Sequence, residues 1–81
     1  MTIELFHRGR FQVLKTAKIH SRTKNAYSIS MDIEELQDML RQPIEIDVLD
    51  GLLFIVEEQE TEHVVGHRMT KHALHVTVWI L

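Results

Sequence analysis

Residues 44–57 read IEIDVLDGLLFIVE, with Asp50-Gly51 at their centre. Asp-Gly between two runs of apolar and β-branched residues is the strongest short-range signal for a two-residue β-hairpin. A type I′ turn needs positive φ at both central residues, which Gly adopts freely and Asp tolerates better than most. The turn also sets the register: Leu49 opposite Leu52, Val48 opposite Leu53, Asp47 opposite Phe54 and Ile46 opposite Ile55. On this reading Ile44, Ile46, Val48, Leu53 and Ile55 form the core face through cross-strand pairs. The opposite face carries Glu45, Asp47, Leu49, Leu52, Phe54 and Val56, polar at one side and apolar toward the turn.

Upstream of the hairpin the pattern predicts one helix, residues 32–42. Asp32 is placed to cap the free N–H groups, with Glu35 three residues on as an Asp version of the capping box. Glu34, Glu35 and Asp38 favour the positive end of the helix dipole and Arg41 the negative end. Ile33, Leu36 and Leu40 fall on one stripe with Met39 beside it, and Pro43 disfavours helix at Gln42. A helix this short is marginal alone, so the stripe must pack on a sheet. Before it, residues 3–6 read as a strand and Arg8-Gly9-Arg10 as a tight turn. Residues 11–19 alternate Phe11, Val13, Lys15, Ala17 and Ile19, mostly apolar, against Gln12, Leu14, Thr16 and Lys18, mostly polar, as a half-buried strand does. A polar turn at 21–25 leads to a strand at 26–30. After the hairpin, 57–62 reads as an acidic connection and 62–65 as a short strand stopped or bulged by Gly66. Residues 73–81 read as a strand, with Leu74, Val76, Val78 and Ile80 on one face and His75, Thr77, Trp79 and Leu81 on the other. The expectation is a single α+β domain over residues 1–81. It has a mostly antiparallel sheet of five to six strands and one short helix between the third strand and the hairpin.

Composition narrows the class. At 81 residues the chain is near the lower end of what folds alone, so oligomerisation is a natural supplement. It has no cysteine, which removes disulfides, thiolate metal sites and a Cys nucleophile. No apolar run approaches the roughly 20 residues of a membrane span, and the start MTIELFHRGRF has no uninterrupted apolar stretch. A cytoplasmic protein with no membrane association is expected. The net charge of −3 is unevenly spread. Residues 1–31 hold six Lys/Arg against Glu4 alone, whereas residues 32–81 hold eleven acids against Arg41, Arg68 and Lys71. A two-sided charge distribution bears on partners and association rates.

Three constellations are candidates for function. Six histidines (His7, His20, His63, His67, His72 and His75) raise the question of a metal. His63-x3-His67 suits a helix, but Val64, Val65 and Gly66 suit a strand, where the two rings would stand about 13 Å apart. Surface histidines without metal or other cofactor are therefore expected. Second, Arg8, Arg10, Lys18, Arg22 and Lys24 share even positions, so a continuous β-ribbon would gather them on one face able to track a nucleic-acid backbone. The alternative is that such residues merely guard sheet edges. Third, Leu49, Leu52 and Phe54, with Trp79 from the last strand, lie opposite the expected core. They form either a second interior or a subunit interface, with Trp79 as its anchor. No nucleophile elbow or Gly-rich phosphate loop occurs, and no catalytic residue is assigned. The leading expectation is a small intracellular protein-interaction module or accessory factor, homodimeric and without catalysis of its own. The alternative is a nucleic-acid-binding protein using the basic N-terminal ribbon.

Overall fold

The 44–57 segment does not form the expected hairpin. The structure, a computed structural model, describes residues 2–49 and 51–81, and the side chains of all of these but Ile46 and His63. Its elements are β1 (Ile3–His7), β2 (Arg10–Val13), β3 (Lys18–Arg22), β4 (Ala26–Asp32), α1 (Ile33–Leu40), α2 (Ile46–Leu49), β5 (Leu53–Val56), β6 (Gln59–Met69) and β7 (Ala73–Ile80). Where the first hairpin strand was expected, α2 makes a single helical turn. The Glu45 carbonyl accepts from the Val48 and Leu49 N–H groups at 3.0 and 3.2 Å, and the Gly51 N–H continues the winding onto the Val48 carbonyl at 3.1 Å. Asp50, half of the expected turn, lies outside the described residues. The reason is competition for an edge. β5 already pairs with β6 on one side and with β1 on the other, through Ile3–Val56, Glu4–Ile55, Leu5–Phe54 and Phe6–Leu53. A strand at 44–49 would find no free ladder to join.

Among the described residues seven strands, rather than five or six, form one antiparallel sheet in the order β2-β1-β5-β6-β7-β4-β3. The α+β character and the predominance of antiparallel pairing stand as expected. The strands are also distributed differently: the expected 44–49 strand is lost to α2, and the expected 11–19 strand is broken into β2 and β3 by residues 14–17. The acidic 57–62 stretch is no loop: Glu57 and Glu58 make a tight turn and β6 then runs straight through Gly66, with register shifts between Thr61 and Gly66. The two edge strands are joined by only those four residues, 14–17. A flat seven-stranded sheet would separate its edges by about 29 Å, whereas Val13 to Lys18 can reach at most about 18 Å. The sheet must therefore curl, bringing β2 and β3 toward each other around a concave core.

That core is lined by Ile3 and Leu5 of β1, Phe54 and Val56 of β5, Tyr27, Ile29 and Met31 of β4, and Leu74, Val76 and Val78 of β7. Leu36 and Leu40 of α1 pack into it, as the stripe predicted, together with Ile44, Leu49 and Leu52. The expected core face of 52–56 is inverted: Phe54 and Val56 are fully buried, while Leu53 and Ile55 are half-buried on the convex side.

α1 ends where Pro43 demands, with Arg41 in the left-handed region at φ 56° and its N–H on the Gln37 carbonyl. Its start is secured differently from a capping box. Asp32 makes no side-chain cap, and its own N–H donates to Thr16 Oγ1 at 3.0 Å. The Glu35 carboxylate reaches across to the β2–β3 link, accepting from the Lys15 N–H at 2.7 Å, the Thr16 N–H at 2.9 Å and the Thr16 hydroxyl. Partial burial pushes the Glu35 carboxyl up, but these donors outweigh it and hold it below the ordinary carboxylate value.

Two hairpins turn on paired positive-φ residues. Arg8 and Gly9 (φ 53° and 76°) join β1 to β2, as the tight turn at 8–10 predicted, and Glu57 and Glu58 (φ 52° and 67°) join β5 to β6. The second pair places two side-chain-bearing residues where Asn-Gly is favoured. Glu58→Gly is therefore expected to raise the unfolding free energy by about 0.5–1 kcal/mol, the left-handed penalty less the entropy Gly brings to the unfolded chain. A urea titration reads this directly, and a fall in stability would exclude strain at this turn.

Candidate interaction surface

Both sides of the curled sheet present surfaces that the core does not consume. On the convex side of β2, β1 and β5, the ladders align Val13, Glu4 and Ile55 in one row and Phe11, Phe6 and Leu53 in the next. The Phe6 and Phe11 rings lie 4.7 Å apart between centroids, tilted by 51°. Phe11 and Val13 are 58% and 47% exposed, although alternation alone suggested that they were half-buried. Glu4 is the only charged side chain in the two rows.

The backbone of β2 points the same way. The Leu14 N–H donates to the Ile3 carbonyl at 2.9 Å, so Leu14–Ile3 is a hydrogen-bonded pair. Val13–Glu4 and Phe11–Phe6 are then non-hydrogen-bonded pairs, since the two kinds alternate in an antiparallel ladder. Phe11 and Val13 thus turn their own N–H and C=O groups away from β1, toward the outer edge of the sheet. The residues that expose apolar side chains also expose unused backbone donors and acceptors.

The interface expected from the sequence is displaced. Leu49, Leu52 and Phe54 are 1%, 3% and 0% exposed and belong to the chain's own core. Only Trp79 of that group is at the surface, 42% exposed on the convex side of β7 opposite Ala26 of β4. No protein-family model, curated protein or solved structure matches this chain. Function must therefore be argued from these surfaces themselves.

The five basic residues at even positions are all exposed, but they do not share a face. A bulge at His20 flips the parity of β3: Lys18 lies opposite Ser30 on the convex side, whereas Arg22 lies opposite the inward-facing Tyr27. The Arg22 guanidinium sits 5.2 Å from the Tyr27 ring centroid and donates to Gln59 Oε1 at 3.3 Å. The buried Tyr27 hydroxyl donates to the same Oε1 at 2.8 Å, with Glu57 Oε2 3.3 Å away. Burial pushes the Tyr27 phenol up, Arg22 pulls against it and Glu57 adds to it. This cluster ties the β3–β4 end of the sheet to the β5–β6 turn, so Arg22 is engaged within the fold. Arg8 and Arg10 lie at the far hairpin, and Lys24 in the β3–β4 turn.

The bulge also places His20 Nε2 2.6 Å from Ser30 Oγ, with the His20 and His75 rings 5.5 Å apart. Ser–His contact at this distance is the geometry of an activated hydroxyl. Ser30 sits mid-strand in β4, opposite Lys18 of β3 and His75 of β7. What the contact does is hold the bulged edge strand onto β4. Among the described residues no three His, Asp or Glu side chains converge as a metal centre requires, and the side chain of His63 lies outside them. Likewise, among the described residues no helix is long and apolar enough to cross a membrane.

Proposed function

We propose that this protein is a small interaction module, without catalytic chemistry of its own, that associates with a second copy of itself through the edge of β2. The observation that carries the reading is the coincidence of exposed apolar side chains and unused backbone groups at Phe11 and Val13. Two β2 edges brought together antiparallel about a two-fold axis at Gln12 would pair Phe11 of one copy with Val13 of the other, twice. That is a self-complementary arrangement of four hydrogen bonds, as a two-fold interface requires. It would continue the Phe6–Phe11 apolar row across the axis and cover the strand edge, which is otherwise a liability for aggregation. The opposite edge, β3, carries Lys18 and Arg22, which discourage pairing there.

Light scattering across a concentration series tests this. Wild type is expected to dimerise, and Phe11→Asp to weaken the dimer about a hundredfold by placing a charge in an apolar contact. Trp79→Ala is expected to leave it intact. A wild type that is monomeric throughout overturns the reading, as does a dimer that survives Phe11→Asp but is lost with Trp79→Ala. In the latter case the β7 face is the interface.

A further inference from the structure

We propose that the hollow between the β1–β2 turn and the C-terminal end of α1 binds the phosphate of a small phosphate monoester. Strand parity brings its lining together. His7 and Arg10 are directly opposite in the hairpin and share the inward side with Gln12, which pairs with the buried Leu5. Arg8 projects from the turn, and Arg41 descends from the left-handed cap of α1. Together with Met39 and Leu40 these residues enclose about 200 Å³. That is the share of about seven water molecules in the liquid, space for a phosphate and a few attached atoms.

Among the described residues the charge of this hollow is one-sided: three arginines and a histidine line it and no acidic residue does. Guanidinium groups match phosphate oxygens bidentately, and several converging on one hollow favour a dianion over the single charge of a diester. The end of α1 opposes an anion, but its partial charge of roughly −0.5 is outweighed by three full positive charges. Met39 supplies an apolar wall for the organic part of an ester.

The test is an NMR titration of the full chain with inorganic phosphate and with phenyl phosphate, at ionic strength held constant with chloride. Both are expected to shift the amides of Arg10, Gln12 and Arg41, phenyl phosphate binding the tighter. Arg10→Gln, and Arg41→Asn (which keeps the left-handed cap), are each expected to weaken binding about tenfold. Lys18→Gln, on the convex side, is expected to change nothing. Absence of shifts in the wild type overturns the proposal, as does binding that both Arg variants retain or that Lys18→Gln weakens equally. Tighter binding of a single-stranded oligonucleotide through the same residues would replace the monoester with a nucleic-acid backbone.

Discussion

Phe54→Ala is expected to lower the unfolding free energy by about 3–5 kcal/mol, the cost of deleting a fully buried aromatic ring. Phe54 has no exposed surface and faces inward from a strand paired on both sides, so its neighbours cannot collapse into the space without breaking a ladder. A domain of 81 residues has a total stability of about 4–12 kcal/mol, so this one truncation consumes a large part of it. Urea unfolding followed by circular dichroism measures the loss. Ile55→Ala, one position along on the convex side, is expected to cost under about 1 kcal/mol. A larger loss at Ile55 than at Phe54 would mean that the inward face of β5 is the other one.

Glu35→Gln is expected to cost about 1.5–3 kcal/mol at neutral pH, because a carboxylate accepting several hydrogen bonds is replaced by a neutral amide that cannot satisfy them all. The three donors come from Lys15 and Thr16, and Thr16 in turn accepts from the Asp32 N–H. The substitution thus loosens both the start of α1 and the link that closes the sheet. The sign of the pH dependence follows from the lowered carboxyl value in the folded state. Its stabilisation is fully present above the ordinary Glu value of 4.5 and is lost as the pH falls through the lowered native value. Wild type and Glu35→Gln should therefore converge in stability on acidification from pH 7. Parallel curves would show that the carboxylate is not held as described.

Local chemistry accounts for what was legible before the structure. The turn at 8–10, the Leu36/Leu40 stripe, the stop before Pro43 and the alternation of β7 all rest on interactions within a few residues. The candidate surface was less legible. Phe6 and Phe11 face each other because the turn closes over Arg8 and Gly9 alone, with Arg10 already in the ladder, and alternation assigns Phe11 to a half-buried row without saying that no neighbour covers it. Leu49, Leu52 and Phe54 were seen as an apolar group, and only the fold shows that they point inward. The basic residues of β3 failed as a face because one bulged histidine reverses the parity of everything after it.

By itself, then, the sequence determined a mostly antiparallel α+β fold, the turns at 8–10 and 21–25 and one amphipathic helix, because each of these is a short-range balance of turn chemistry and periodicity. Only the tertiary structure decided which face of residues 52–56 is interior and that 46–49 winds into a helix. It likewise decided that Glu35 fastens the β2–β3 link and that β2 is left at an edge. The physical reason is that a strand has two edges and each is paired once. When β1, distant in sequence, takes the edge of β5, the strongest local hairpin signal in the chain has no ladder left to join.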